Sequence, residues 1–505
     1  MAEKPPLKNH IIMLPFMAQG HLIPFSQLAH HLLRRHPTLT VTIATTPLNL
    51  THLRSAVADH PNLRLHPLPF TSSDHHLPPN SENTDGLPLP HIIKLFHASA
   101  ALEPPFRRLI NDVVSIKTKK TPPVCIISDV FMGWANDVAK SFNILNYTFT
   151  TGGAYGTAAY CSIWLNLPHR NVSNDGTHDE FSVPGFPESC RFTIDLLHRF
   201  LRAGDGKDEW SRFFQPQLEL SLQSNGWLCN TVEEIETLGL HVLRNYIKLP
   251  VWCVGPLIPT QMLKKDSGLD SGSGVLGQIG QRSGKKPGVE PEECIKWLDS
   301  HPVGSVLYIS FGSQNTISET QMMELAKGLE ESNKPFIWVI RPPIGFDLKG
   351  DFKPEWLPVG FEGRIGKQGL VVHNWAPQLE ILCHRATGAF LSHCGWNSVM
   401  ESLSQGVPLI GWPLAAEQGY NAKMLVEELG VCVVLTRGVH DGITKEEVSG
   451  VLNEVLDKSE GGKGEDMRRK ARELGELIRA SVEKNKGSSY IAMNDFLNTL
   501  PCVFR

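Results

Sequence analysis

One pattern constrains this chain more than any other: an alternation of short apolar runs and amphipathic stretches that occurs twice. Residues 10–16 (HIIMLPF) read as a buried strand, and 24–35 (PFSQLAHHLLRR) as the helix after it, with proline at the first turn. Residues 39–45 (LTVTIAT) and 123–128 (PVCIIS) read as further strands, the second followed by a helix near 134–142. The texture then changes at 266–288, where Gly and Ser dominate and large apolar residues are few, as in a linker or loop. A second block follows, with strands at 305–311 (SVLYISF), 336–341 (FIWVIR), 370–373, 389–392 and 408–412, and a helix at 319–331. Strand–helix alternation of this kind predicts a parallel sheet with helices on both faces. Two such blocks predict two α/β domains and a cleft, with ligands at the carboxyl ends of the strands. The stretch 60–95, rich in proline and carrying His75 and His76, reads as a variable loop, and 463–482 as a charged amphipathic helix.

Charge narrows the ligands. The 48 basic and 52 acidic side chains leave a net charge of -4, so there is no basic field for nucleic acid, and any phosphate must be held by local donors. No apolar run approaches the roughly 18 residues of a membrane helix. The N-terminal stretch lacks a signal-peptide pattern, which with ten scattered cysteines and no CxxC predicts a reducing, cytoplasmic setting.

The densest stretch is 391–402, LSHCGWNSVMES. A metal site is one reading, but His393 and Cys394 are adjacent and point to opposite sides of a strand. A Cys394 nucleophile needs a base that nothing nearby supplies. The third reading is an anion cradle, in which a strand ends at Gly395 and a helix starts near Asn397 or Ser398, both good N-cap residues. A helix N-terminus offers unpaired N–H groups and a positive dipole end. Gly395 lets backbone approach, His393 can donate to a phosphate oxygen, and Glu401, one turn on, suits sugar hydroxyls. Phosphate beside sugar implies a nucleotide.

Upstream stands WAPQ (375–378), downstream WPLAAEQ (412–418), so that 44 residues run from Trp375 to Gln418. This segment, with its HCGWNS core, resembles the donor-binding signature of the plant secondary-product UDP-glycosyltransferases, and the layout of the whole chain is similar to theirs. The resemblance implies a GT-B type α/β fold, two Rossmann-like domains facing each other across a cleft. An acceptor-binding domain would span 1–255, a linker 256–290 and a UDP-sugar domain 291–480, with 481–505 packing back on the first domain. It implies that Trp375 stacks on uracil while Ala376 backbone reads the base edge. Gln378 and Glu401 would hold the ribose; His393, Asn397, Ser398 and Ser313 the pyrophosphate; and Trp396, Glu417 and Gln418 the transferred sugar. Gly20 and Thr151 complete the donor site. In this family a Gln at the position of Gln418 goes with glucose donors, so UDP-glucose is the expected co-substrate, with UDP-xylose or UDP-glucuronate as alternatives.

The resemblance at Gln19-Gly20-His21 implies a catalytic pair of His21 and Asp129. The chemistry stands by itself: His21 takes a proton from an acceptor hydroxyl, and Asp129 orients the ring and stabilises imidazolium. A helix N-terminus would lower the His21 pKa and the carboxylate raise it. One displacement at the anomeric carbon inverts it. No Asp-x-Asp triplet occurs, so no metal and no cofactor is expected. The expected protein is therefore a monomeric inverting O-glucosyltransferase acting on a small hydrophobic hydroxylated acceptor, a flavonoid or other phenolic first, a terpenoid or steroid next. Phe16, Met17, Phe131, Tyr155 and Leu414 are candidates for the acceptor pocket. The competing readings are a nucleotide-sugar epimerase or hydrolase on the same architecture, and a non-catalytic nucleotide-binding protein.

Overall fold

The strand HIIML is buried at every position, which requires helices on both faces of its sheet. The computed structural model describes residues 9–57, 60–115, 125–171, 180–263, 288–438 and 441–500. Its strands are β1 (His10–Leu14), β2 (Thr40–Thr45), β3 (Leu63–Pro67), β4 (Cys125–Asp129), β5 (Leu145–Thr150), β6 (Glu180–Ser182), β7 (Arg191–Thr193), β8 (Trp227–Cys229) and β9 (Val251–Cys253) in the first half. The second half has β10 (Val306–Ser310), β11 (Phe336–Ile340), β12 (Gly369–His373), β13 (Thr387–Ser392), β14 (Leu409–Gly411) and β15 (Cys432–Val434). The first sheet runs β3-β2-β1-β4-β5-β8-β9 and the second β12-β11-β10-β13-β14-β15, every described pairing in both being parallel. β6 and β7 form a separate antiparallel hairpin.

Both orders reverse direction at one place, between β1 and β4 and between β10 and β13. There the crossover helices leave on opposite faces and a crevice opens beyond the strand ends. The register places Leu14 beside Ser128, so the segments after β1 and β4 start side by side. In the second sheet Ser310 lies beside Ser392 in the same way.

Three local expectations change. The first helix spans Gln19–Arg35, so it begins five residues before Pro24, and Pro24 lies inside it rather than at its first turn. The helix after β13 starts at Trp396, capped by Gly395 with no side-chain cap, so neither Asn397 nor Ser398 is the N-cap. The segment 60–95 holds β3, a 3-10 turn at Ser72–His75 and the start of the helix Leu89–Ala98. Its strand was hidden because β3 is a half-exposed edge strand ending in proline and shows no clean alternation. The Gly/Ser-rich stretch, apart from Gly288, lies outside the described residues.

The chain end crosses back to the first sheet. On the helix Ser488–Asn498, Phe496 meets Tyr147 edge-on at 5.0 Å and Trp252 at 5.5 Å, while the Arg35 guanidinium lies 3.9 Å over Tyr490.

Candidate active site

The two switch points face each other across a cavity of about 340 Å³. On the first-domain side, His21 sits in the first turn of the helix after β1, and Asp129 is the last residue of β4. Adjacent strands therefore bring together two residues 108 apart in sequence. His21 Nδ1 lies 2.6 Å from Asp129 Oδ2, and the Phe131 N–H donates to the other carboxylate oxygen at 3.0 Å. Asp129 is fully buried while His21 is partly open to the cleft. Burial pulls the His21 imidazole down, but the charge and hydrogen bond of Asp129, and the charge of Glu417 across the cleft, outweigh it and raise the pKa above 6.5. With Nδ1 committed to Asp129, Nε2 is the nitrogen available to an acceptor.

The second-domain side is built on His393. Its ring stands between Gly312 and Gly395: a Cβ on Gly312 would come within 2.6 Å of Nε2, and one on Gly395 closer still. Gly312 also has φ +76, a conformation glycine adopts without strain. Burial, then the nearby Arg341, lower the His393 pKa to about 4, so the ring is neutral at pH 7 and donates as neutral imidazole. Behind it the helix Trp396–Ser404 points its N-terminus into the cavity. Cys394 is fully buried at φ +60, packed toward Gly411 and Cys432, and does not line the cavity. It is a packing residue, and among the described residues no group of three His, Cys, Asp or Glu could hold a metal ion.

Every expected donor residue lines this one cavity: Gly20, Thr151, Ser313, Trp375, Ala376, Gln378, His393, Trp396, Asn397, Ser398, Glu401, Glu417 and Gln418. Several are held by one another. Gln378 Nε2 donates to Glu401 at 2.7 Å and to Ser398 Oγ at 3.1 Å. Gln418 Oε1 accepts the N–H groups of Leu414 and Ala415, both at 2.9 Å, which fixes its side chain and leaves its amide N–H groups as its donors. Burial raises the Glu417 pKa, opposed by backbone N–H groups and the charge of His21. Asn397 reaches across the cleft, donating to the Gly20 carbonyl at 2.9 Å and accepting from Asn230 at 3.3 Å.

The acceptor-side expectations divide. Phe16 and Phe131 line the cavity; Met17, Tyr155 and Leu414 do not. Met17 follows Phe16 directly and turns into the core instead. Tyr155 is buried with its hydroxyl 3.3 Å from Cys190 Sγ and its ring 5.1 Å from Phe186. Leu414 packs on the core of the second sheet. The wall is completed by Phe96, Tyr160, Trp210 and Phe214, from three helices. Their rings form a continuous cage around Phe131, which lies 5.3 Å from His21 and 5.1 Å from Phe214.

Sequence reasoning also missed two supports. Arg341, just past β11, is half-buried and donates to the carbonyls of Gly312, Ser313 and Asn315, fixing the loop after β10. Its position directly after an apolar strand was the available signal. Glu236 is buried and accepts from the Ala154 and Tyr155 N–H groups at 2.7 and 2.9 Å, anchoring the helix behind Thr151. Nothing local in the sequence marks it.

Two Rossmann-like domains with facing switch points, an imidazole–carboxylate pair on one and an N–H-rich helix start with a neutral histidine on the other, define a GT-B glycosyltransferase. Comparison with known proteins agrees. Residues 8–194 match the family model "Glycosyltransferase, N-terminal domain", and 277–467 the model "UDP-glucoronosyl and UDP-glucosyl transferase". The chain is similar to crocetin glucosyltransferase 3 of Crocus sativus, 43% identical over 473 residues that cover 91% of this chain and 93% of that protein. It is similar to UDP-glycosyltransferase 92A1 of Arabidopsis thaliana, 41% identical and covering 99% and 98% of the two. Its structure resembles that of Medicago truncatula UGT71G1 complexed with UDP-glucose, with TM-score 0.78, 25% identity and 98% of each chain covered. This chain belongs to the plant UDP-glycosyltransferases and is an enzyme of glycosyl transfer to small acceptors.

Proposed function

We propose that the protein is an inverting, UDP-glucose-dependent O-glucosyltransferase for a flat, lipophilic, hydroxylated acceptor of the phenolic class. The observation that carries this reading is the 2.6 Å His21–Asp129 pair, which faces the aromatic cage on one side and the donor cradle on the other. In this reading residues 1–255 supply the acceptor pocket and the base, and 291–480 hold the donor.

The acceptor lies among Phe16, Phe131 and their neighbours with its hydroxyl on His21 Nε2. Offset and edge-on ring contacts suit a planar aromatic ligand. As His21 removes the proton, the acceptor oxygen attacks the anomeric carbon from the face opposite the diphosphate. The bond from that carbon to the β-phosphate oxygen breaks, UDP departs with the electron pair, and a β-glucoside is left. Charge develops on the leaving diphosphate, where the helix start at Trp396 and the neutral His393 donate without reorganising. Asp129 stabilises the imidazolium until its proton is released. Trp375 stacks the uracil, Gln378 and Glu401 take the ribose, and Glu417 and the amide of Gln418 take the glucose hydroxyls.

The test is a panel of phenolic, terpenoid and steroidal alcohols with UDP-glucose, UDP-xylose and UDP-glucuronate, read by product mass with EDTA present. Glucosylated phenols are expected. Release of UDP at the same rate without any acceptor would replace transfer by hydrolysis, and activity that needs added divalent ion would contradict the metal-free mechanism.

A further inference from the structure

Asn397 stands in the donor signature, yet its carboxamide is committed to the opposite domain. The network fixes which atom is which. The Leu257 N–H donates to Asn230 Oδ1 at 3.2 Å, so Asn230 presents its Nδ2 to the Thr151 carbonyl and to Asn397, each at 3.3 Å. Asn397 therefore turns Oδ1 to Asn230 and Nδ2 to the Gly20 carbonyl at 2.9 Å. Beside it, the Trp396 indole N–H donates to the Asn230 carbonyl at 2.6 Å. The start of one donor-side helix is thus fastened to two segments of the first domain, at Gly20 and at Asn230.

The Gly20 carbonyl is an unusual acceptor because it lies inside a helix. In Gln19–Arg35 the carbonyl of residue 20 would accept the N–H of residue 24, and residue 24 is proline. Proline has no N–H, and its ring pushes the carbonyl four residues back away from the helix axis. Pro24 therefore leaves one carbonyl of the helix start unpaired and tilted outward, and that carbonyl is the one Asn397 takes. His21 is the next residue.

We infer that Pro24, Gly20 and Asn397 form a clasp across the cleft that sets the position of His21 relative to the diphosphate-binding helix start. Building on the transferase reading, Pro24 and the Asn397 side chain are positioning residues, and the Asn397 backbone N–H is left for the donor. The clasp explains why a helix-breaking residue stands one turn after the base, where alanine would make a better helix.

The measurement is a double-mutant cycle of Pro24→Ala and Asn397→Ala, read by thermal midpoint and by steady-state kinetics with UDP-glucose. Pro24→Ala supplies the missing N–H to Gly20. It should raise the midpoint while lowering kcat by up to about a hundredfold, the scale on which misplacements of about 1 Å act. KM for UDP-glucose should hold, and so should the acidic-limb pKa of kcat/KM, because the His21–Asp129 pair is untouched. Asn397→Ala should lower the midpoint more in the wild-type background than in Pro24→Ala, since the Asn397–Gly20 bond is common to both while the Asn230–Asn397 bond is lost in either background. Wild-type kcat in Pro24→Ala, or independent effects in the cycle, would overturn the clasp. If the wild-type protein transfers no sugar to any acceptor, the transferase reading fails, and the midpoint cycle still decides the clasp.

Discussion

At the scale of the residue, His21 is where pH enters. Its folded pKa is raised, with burial the largest opposing influence and Asp129 the largest supporting one. A base must be deprotonated to act, so kcat/KM should rise with pH along a limb whose apparent pKa lies above 6.5. Asp129→Asn removes the charge that raises it, so the limb should move to lower pH even as the rate falls. A limb unmoved by Asp129→Asn would assign it to another group. His21→Ala should cost roughly 10²–10⁴ in kcat with UDP binding preserved. The same shift acts on stability with the opposite sense. Because the folded ring holds its proton more tightly, the ion pair stabilises the fold below about pH 6.5, and that contribution is lost as pH rises through the folded pKa. In the proposed mechanism the base becomes available in the range where the fold loses this stabilisation. His21 and Asp129 were legible through the family resemblance at Gln19-Gly20-His21, because a histidine after a strand is by itself more often a solvated or capping residue; the sequence did not contain the 2.6 Å between them.

At the scale of the element, the deciding unit is strand, glycine turn and helix start. The turn after β13 works because Gly395 and Gly312, from two different strands, leave the His393 ring its slot. Gly395→Ala should force the ring out. Overpacking of this kind costs about 1–3 kcal/mol, so UDP binding should weaken roughly five- to a hundredfold while the His21–Asp129 side is unaffected. Calorimetric titration with UDP checks this; unchanged affinity would show that His393 does not hold the diphosphate. The sequence located this element through its strand and its glycine but misassigned the cap. Asn397 and Ser398 have cap-forming side chains, yet each is engaged elsewhere, Asn397 with Gly20 and Asn230, Ser398 with Gln378. The same holds for the first helix, where proline normally marks a start. Here it lies inside, and tertiary contacts, not local preference, account for its place. The aromatic cage was half visible for a related reason. Phe16 and Phe131 follow strands directly, whereas Phe96, Tyr160, Trp210 and Phe214 come from three helices whose packing brings them together.

At the scale of the whole molecule, the ties between the two domains include the cleft, through Trp396 and Asn397, and the last helix, which returns to the first sheet. Phe496 is fully buried there between Tyr147 and Trp252. Phe496→Ala should destabilise the first domain by about 3–5 kcal/mol and appear as an earlier unfolding transition by calorimetry. A single unshifted transition would mean that this helix contributes little. By itself the sequence determined the doubled α/β plan, because buried parallel strands and amphipathic crossovers leave local signatures of hydrophobicity. It also placed the chemistry at strand ends and helix starts, since the order of elements brings those together in any doubly wound sheet. Tertiary structure alone decided which aromatic rings line the cavity beside His21, how Arg341 and Glu236 hold the loops beneath the site, and that Asn397 crosses the cleft to the carbonyl of Gly20. Those contacts join residues far apart in the chain, and their partners are chosen by packing geometry rather than by any pattern along the sequence.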